Sequence, residues 1–446
     1  MAHSRQATSS CALSRYCLNL PEFSSIRNSF LFNTSNGAAL ILPTRLVDRI
    51  RQGNLSSLEG LPNGLKKFIL DKFMVEDIES EPRLMIKRLR RLRNHGKMLA
   101  LTIVTTLDCN LACVYCYQKK FQKQEYMSMG TANDLVSFVK GRLHAQKFEK
   151  LNIHFFGGEP LLNLPVIETI ATQLNGVALE QDITLEYTMD TNGILLTRDV
   201  ATMLKSIGIS SVQVTFDGPR EIHDSRRPSK NLGESSFDIA FRNVLENEDI
   251  INIVVRCNVD RHNLRHIPEL MKIVKFSLSP KTKFYMGVVH HASGKLPHCQ
   301  NFCLNINAER DQMIWLWKKQ SQYGLRFKEC FPAGTICGYY SENSLTIDPS
   351  GNIYVCEGSI GLENFRVGHL RSSIDKSKLI RKGTRIWTNC SGCVYFPTCL
   401  GGCRVNSYLL NGDFSKDCRK EFFDNTLRDF FELKYKQAKP DEGDAN

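Results

Sequence analysis

Residues 105–118 read TTLDCNLACVYCYQ and grow out of the strand-like run LALTIVTT at 99–106. Cys109, Cys113 and Cys116 therefore stand as Cys-x3-Cys-x2-Cys on one short loop after a strand. Three thiolates so spaced can hold three irons of a [4Fe–4S] cluster and leave the fourth iron open to an outside ligand. Zinc is the competing occupant, although it wants four closed ligands and this loop offers three. An aromatic residue, Tyr117, follows the third cysteine. IHFFGGEPLLN at 153–163 then places Gly157, Gly158, Glu159 and Pro160 at the end of the next strand-like run.

Working outward, strand-like and helix-like segments alternate in the manner of a parallel sheet. Strands are expected at 99–106, 151–156, 183–189, 211–216, 251–257 and 283–289, with helices near 129–146, 163–175, 197–206, 235–247 and 266–276. The chemistry of such an arrangement sits at the carboxyl ends of the strands. The cysteine loop, GGEP, TMDTNG (188–193) and FDGP (216–219) end the first four strands in turn. Taken singly, Gly157-Gly158 and Thr191-Asn192-Gly193 are also ordinary turn signals.

The cysteine loop and the GGEP run together resemble the radical S-adenosylmethionine (SAM) enzymes. The resemblance implies an α/β fold, a partial (β/α)6 barrel, whose open iron chelates the methionine amino and carboxylate groups of SAM. One electron then cleaves SAM to a 5′-deoxyadenosyl radical. It further implies that Tyr117 belongs to the cofactor site and that Gly157, Gly158, Glu159 and Pro160 surround the SAM amino group. Thr188 and Asn192 would lie close to its ribose or carboxylate. Asp217, in TFDGPREIHDSRRP, matches a segment typical of the anaerobic sulfatase-maturating enzymes and is placed in the pocket without a fixed role.

The C-terminal third holds Cys337, Cys356, Cys390, Cys393, Cys399, Cys403 and Cys418, with Cys330 just upstream. Their spacing resembles the SPASM extension of radical SAM peptide and protein maturases. Closing two further [4Fe–4S] clusters takes eight thiolates. By resemblance, Cys330, Cys337, Cys356 and Cys403 would hold one auxiliary cluster, and Cys390, Cys393, Cys399 and Cys418 the other. A zinc ribbon is the alternative for the Cys-x2-Cys half. Glu357 falls where the sulfatase-maturating enzymes place an aspartate base, so a carboxylate able to take a proton is kept while sulfatase maturation is put in doubt. Cys257 reads as a buried core thiol. Cys299 and Cys303 read as a structural or incidental pair; Cys11 and Cys17 carry no assignment.

Residues 1–98 form a small α+β unit in this reading. NSFLFNTSNGAALILP (28–43) has the pattern of a hairpin with an Asn-Gly turn, followed by amphipathic helical stretches. The pattern resembles the winged-helix domains that take a leader peptide as an added strand; a plain cap on the barrel is the alternative. The barrel is expected over 99–292, a bridge over 293–336, the cysteine-rich extension over 337–430 and a disordered acidic tail over 431–446. The stripe EPRLMIKRLRRLRNHGK at 81–97 contributes to a net charge of +12. It reads first as a solvated helix face, then as a surface for an acidic peptide. Nucleic acid comes last, because no stacking or base-reading motif accompanies the charge.

A chain of 446 residues with 42% hydrophobic content has room for two or three cored units. Sixteen cysteines, several in Cys-x2-Cys or Cys-x3-Cys pairs, favour metal over disulfides, because a reducing compartment keeps thiols available as ligands. The N-terminus lacks the apolar core of a secretory signal, and no run of about 18 apolar residues spans a membrane. A cytoplasmic enzyme is expected, acting on a precursor peptide or protein with a flavodoxin- or ferredoxin-type reductant. Formylglycine formation on a sulfatase and RNA modification are the rival activities.

Overall fold

The computed structural model describes residues 11–23, 25–94, 96–121, 123–230, 233–289, 310–325 and 336–438. The calls on Cys299, Cys303 and Cys330, on residues 439–446 and on most of the 293–336 bridge lie outside them.

The N-terminal part begins with β1 (Ala12–Leu13) and β2 (Cys17–Pro21), followed by β3 (Asn28–Asn33) and β4 (Ala39–Pro43). Strands β2, β3 and β4 form an antiparallel sheet in that order. Gly37, immediately after Asn36, has φ +77° in the β3–β4 turn, a value that favours glycine. Helices α1 (Thr44–Arg51), α2 (Asn63–Phe73) and α3 (Glu81–Asn94) follow, with β5 (Met74–Val75) pairing to β1. One face of the sheet packs on the two flanking helices through Leu31, Leu42, Val47, Ile50, Ile69 and Phe73.

Six parallel strands come next: β6 (Met98–Val104), β7 (Lys150–Phe156), β8 (Thr184–Thr191), β9 (Ser211–Thr215), β10 (Asn252–Val259) and β11 (Lys283–Val288). Period-two alternation sorts their side chains. In β7, Leu151, Ile153 and Phe155 are fully buried, whereas Asn152, His154 and Phe156 face the opposite, half-open side. The buried face meets α4 (Met129–Ala145), α5 (Leu164–Glu180), α6 (Arg198–Ser206), α8 (Ser236–Asn247) and α9 (Ile267–Ser277) in one continuous core, while α7 (Arg220–Arg226) packs on α8 and buries His223 and Arg226. Each fully buried Leu or Ile there contributes about 1.5–3 kcal/mol. Side-chain caps fix the helix starts: Ser128 accepts from the Thr131 N–H, Thr197 from that of Val200 and Ser235 from that of Asp238.

The fold is thus the expected parallel α/β array, but the sheet does not stop at β6. β12 (Ser344–Ile347) pairs in parallel with β6, and β13 (Asn352–Tyr354) and β14 (Arg366–His369) continue it antiparallel, giving nine strands. The cysteine-rich region is therefore built onto the barrel sheet. It continues through α11 (Ser377–Thr384), α12 (Trp387–Cys390), α13 (Phe396–Cys399), α14 (Arg404–Asn411) and α15 (Lys420–Ala438), the last packed on α10 (Arg310–Gln322) from before β12.

One boundary needs correction. Residues 431–438 are the last turns of α15 and not a tail, because Phe430 and Phe431 are buried against Phe30 and Phe32 of the N-terminal sheet. The same cluster takes in Tyr395 and touches Cys393 and Cys399, so the first and last parts of the chain share a core. Tyr16 adds to this junction by donating its hydroxyl to the Ser391 carbonyl at 2.7 Å.

Candidate functional site: a cysteine loop at the mouth of a polar lumen

The loop bearing Cys109, Cys113 and Cys116 is held on two sides. On one, Gly158 N–H donates to the Thr106 carbonyl and Glu159 N–H to that of Asp108. The approach is close enough to require glycine. A Cβ on Gly157, whose φ is +154°, would meet the Thr106 oxygen at 2.5 Å, and one on Gly158 the Asp108 oxygen at 2.0 Å. On the other side, Ala112 N–H donates to the Pro228 carbonyl, Val114 N–H to that of Arg226 and Lys230 N–H to that of Asn110.

Glu159 is fully buried. Its carboxylate accepts from the Leu161 N–H, the Thr191 hydroxyl and the Asn192 N–H at 3.1, 2.7 and 2.7 Å. Burial pushes its pKa up to about 7 against the pull of those donors. The carboxylate is thus a strut between the turns after β7 and β8. Pro160 opens a short helical turn, Pro160–Asn163, behind it. The Asn192 amide donates to the Asn110 side-chain oxygen at 2.6 Å and reaches the Cys109 sulfur at 3.9 Å. Thr188 lies on the other face of β8, toward the lumen, its hydroxyl 2.9 Å from His154 Nδ1. Strand alternation gives Thr191, not Thr188, to the strut.

Behind the loop lies a buried charge network that the sequence did not reveal. Asp217 accepts the Tyr115 hydroxyl at 2.5 Å and the Asn258 N–H at 3.1 Å. Tyr115 in turn accepts from Arg227 Nη1 at 2.7 Å. Arg226 lies 2.7 Å from Asp260 and stacks its guanidinium 4.8 Å from the Tyr115 ring. Two arginines thus face two buried aspartates. Arg227 also acts on the thiols: burial raises Cys113 and the Arg227 charge opposes it, while burial and then Glu159 raise Cys109 to about 12. The only advance signal was the run REIHDSRRP directly after FDGP.

The residues fit an iron–sulfur cluster. Three thiols sit on a glycine-cradled loop, the Leu111 N–H points at the Cys109 sulfur at 3.4 Å, and a buried guanidinium offsets thiolate charge. Among the described residues no three His, Cys, Asp or Glu side chains converge to clasp a single ion.

Toward the extension, Tyr117 is raised by burial and then by Glu357, with Cys116, Cys356 and Arg256 also acting on it. Tyr117 therefore sits between the loop and the Cys356–Glu357 turn, and Glu357 itself is exposed. Desolvation raises Cys337 and Cys356, and both feel the Cys403 thiol. Desolvation likewise raises Cys399, which feels Cys390 and Cys393; Cys390 feels Cys393 and Cys418. Cys257 is fully buried in the core. No helix among the described residues is long and apolar enough to cross a membrane.

Residues 103–272 match the family described as the Radical SAM superfamily. The radical SAM cyclopropyl synthase TigE of Paramaledivibacter caminithermalis is 23% identical over 375 residues, covering 73% of this chain and 72% of that protein. A cysteine-type anaerobic sulfatase-maturating enzyme of Clostridium novyi is 23% identical over 73% of this chain and 92% of that enzyme. The crystal structure of Streptococcus suis SuiB bound to precursor peptide SuiA matches with a TM-score of 0.54 and 15% identity, over 91% of this chain and 99% of that one.

Proposed function

The chain carries a radical SAM domain and is an enzyme of that superfamily, and from this premise we propose that it modifies a ribosomally made precursor peptide by hydrogen-atom abstraction. The observation that carries the reading is the clasped loop of Cys109, Cys113 and Cys116 at the mouth of a half-open, polar lumen. With a [4Fe–4S] cluster and SAM bound there, the site gains a 5′-deoxyadenosyl radical as its hydrogen acceptor.

The chain's own residues position and insulate. Arg227 offsets thiolate charge beside Cys113, and the Glu159 strut keeps Asn192 against the loop. Gly157, Gly158 and Pro160 shape the turn on which the SAM amino group rests in this reading, with Tyr117 closing the pocket and Asp217 holding Tyr115 behind it. Half-open lumen residues such as His154, Thr188, Asp190 and Arg256 orient the substrate, and Glu357 takes its proton. Cys337, Cys356 and Cys403 with Cys330 are proposed to hold one auxiliary cluster, and Cys390, Cys393, Cys399 and Cys418 a second. The N-terminal sheet would receive the leader as an added strand. A small electron carrier supplies the electron, in a reducing cytoplasm that keeps the thiols available.

Support for a peptide substrate comes from the likeness to SuiB, whose solved complex holds a precursor peptide and whose match takes in the N-terminal part of this chain. Sulfatase maturation is the second reading, favoured by the Clostridium novyi relative and weakened by glutamate at position 357. Protein reconstituted anaerobically should hold about twelve irons, four per cluster. Replacing Cys109, Cys113 and Cys116 with Ala should remove about four of them and all SAM cleavage. SAM cleavage by that triple variant under dithionite would overturn the reading. Mass spectrometry of candidate precursor peptides, a sulfatase peptide and total tRNA after turnover separates the three activities.

A further inference from the structure

Tyr16 and Thr34, from the N-terminal part of the chain, grip the run CSGCVYFPTC (390–399) at three points. The Tyr16 hydroxyl donates to the Ser391 carbonyl at 2.7 Å, between Cys390 and Cys393. The Thr34 hydroxyl donates to the Val394 carbonyl at 2.5 Å, and the Thr34 carbonyl accepts the Thr398 hydroxyl at 3.2 Å, beside Cys399. The Thr34 N–H donates to the Tyr16 carbonyl at 3.0 Å, so the two residues act as one clamp. Tyr16 is 0% and Thr34 1% exposed, and water does not compete for these bonds. Burial first and Glu81 next raise the Tyr16 hydroxyl, and the Cys393 thiol adds to the rise, which keeps the group protonated and donating.

The gripped run is shaped to gather thiols. Leu400, Gly401 and Gly402 follow Cys399 with φ of +54°, +84° and +87°, a left-handed turn that a leucine adopts only under constraint. A Cβ on Gly402 would meet the Asp417 carbonyl oxygen at 2.0 Å, and the Asp417 N–H donates to the Gly401 carbonyl at 2.9 Å. Cys418, the next residue, is thereby returned to the run, where it acts on Cys390. Four free thiols on a strained, glycine-cradled turn are a donor set for an iron–sulfur cluster.

We propose that the N-terminal sheet is a wall of this thiol site, with Tyr16 and Thr34 as positioning residues, so that loading of Cys390, Cys393, Cys399 and Cys418 and seating of the sheet stabilise one another. The inference rests on reading the four thiols as ligands of a [4Fe–4S] cluster. The clamped residues are direct neighbours of Cys390, Cys393 and Cys399, so three ligands are held in place before metal arrives, which lowers the ordering cost of binding. Thiolates tied to one centre cannot drift apart, and metal binding therefore adds to folding free energy. Such coupling is reciprocal: what the sheet adds to cluster retention, the cluster returns to the sheet. Cys393 and Cys399 pack against the core that holds Phe30 and Phe32, which carries the constraint from the ligands into β3. A chain empty at this site holds its sheet loosely, and capture of a leader on that sheet follows metal loading.

Hydrogen exchange on the full chain compares cluster-free protein with protein reconstituted with ferrous iron and sulfide. Amides of β2 and β3 should exchange about tenfold or more slowly once loaded, the scale of one or two hydrogen bonds made firm. Cys390→Ser/Cys393→Ser should lose about four irons and abolish this gain, whereas replacing Cys109, Cys113 and Cys116 with Ala should keep it. In the reverse direction, Tyr16→Phe/Thr34→Val removes both hydroxyls and little volume. A ferrous chelator should strip about four irons from this variant about tenfold faster than from wild type, with the others unaffected. Loaded wild type whose β2 and β3 exchange as fast as in the cluster-free chain would overturn the linkage, as would wild-type iron retention by the double variant. Equal acceleration of all the irons would overturn it too, by assigning the two hydroxyls to general stability. Full iron content in Cys390→Ser/Cys393→Ser would instead overturn the cluster reading of the four thiols, and the inference with it.

Discussion

The Glu159 carboxylate accepts the backbone N–H of Asn192 at 2.7 Å, joining the turns after two neighbouring barrel strands beneath the cysteine loop. Because the group is fully buried, none of its three donors has water to fall back on. Glu159→Ala leaves the Leu161 N–H, the Thr191 hydroxyl and the Asn192 N–H without this acceptor, and each buried orphan costs about 1–3 kcal/mol. Denaturant unfolding of the cluster-free protein should show a loss of about 3 kcal/mol or more. Glu159→Gln keeps one acceptor oxygen but sets an amide against a donor, so an intermediate loss is expected. An alanine variant as stable as wild type would mean the strut carries no load.

Stability should also fall in mild acid through His223. Burial first, then Arg227 and Arg226, hold this imidazole well below its usual pKa, and its Nδ1 accepts the Asp217 N–H at 3.4 Å. The unfolded chain takes up a proton near pH 6.5 that the folded chain refuses. This contribution is therefore fully present above that pH and lost below it, at about 1.4 kcal/mol per pH unit. His223→Phe suits the neighbouring rings of Phe216 and Phe237 and removes the titration. Its absolute stability can differ, but its slope between pH 6.5 and 5 should be shallower than wild type by about that amount. Parallel slopes in urea titrations would exclude the imidazole as the source.

How far the sequence disclosed this arrangement depended on where each interaction is encoded. Strands β6 to β11 were legible because alternation such as Leu151, Ile153 and Phe155 against Asn152 and His154 is written within each segment. The continuation into β12 was not, since SLTI is four residues long and acquires meaning only by pairing with Ala100–Ile103. Arg226 and Arg227 carried no reading of their own in the sequence. Their burial follows from Asp217 and Asp260, which the fold brings in from the ends of β9 and β10. The parity of β8 turns Thr191 toward the Glu159 carboxylate, a contact that the loop motif alone does not state. The cysteine loop itself was readable because its ligands lie within eight residues of one another, from Cys109 to Cys116.

Phe431 should be where the first and last parts of the chain come apart. Its ring lies 4.9 Å from Phe30 and 4.8 Å from Phe32, across more than the whole barrel in sequence. Phe431→Ala removes a buried ring at this junction, a change that costs about 3–5 kcal/mol in a packed core. Limited proteolysis should release a fragment ending before β6 faster than in wild type. Turnover of a leader-bearing peptide should fall more than uncoupled SAM cleavage, because the proposed peptide-binding sheet loses its seat on α15. Unchanged proteolysis would show that the Tyr16–Ser391 bond and its surroundings hold the unit without this ring.

The proposed role of Glu357 is to take a proton from the substrate. The residue sits in the short helical turn Glu357–Ser359, directly after Cys356, where the Ser359 hydroxyl donates to the Cys356 carbonyl at 2.7 Å and closes the turn. Burial, and then the Glu357 charge, raise the Tyr117 hydroxyl. A tyrosine kept protonated beside a carboxylate can hand it a hydrogen bond and hold its orientation. Glu357→Gln keeps the shape and removes the base. It should retain the iron content and 5′-deoxyadenosine formation of wild type while slowing peptide product by about 100-fold, the usual scale of acid–base catalysis. Glu357→Asp should recover part of that rate, which a purely structural role would not require. Wild-type product yield from the glutamine variant, measured by mass spectrometry under anaerobic turnover, would leave proton removal to another lumen group, with His154 beside Thr188 the next to replace.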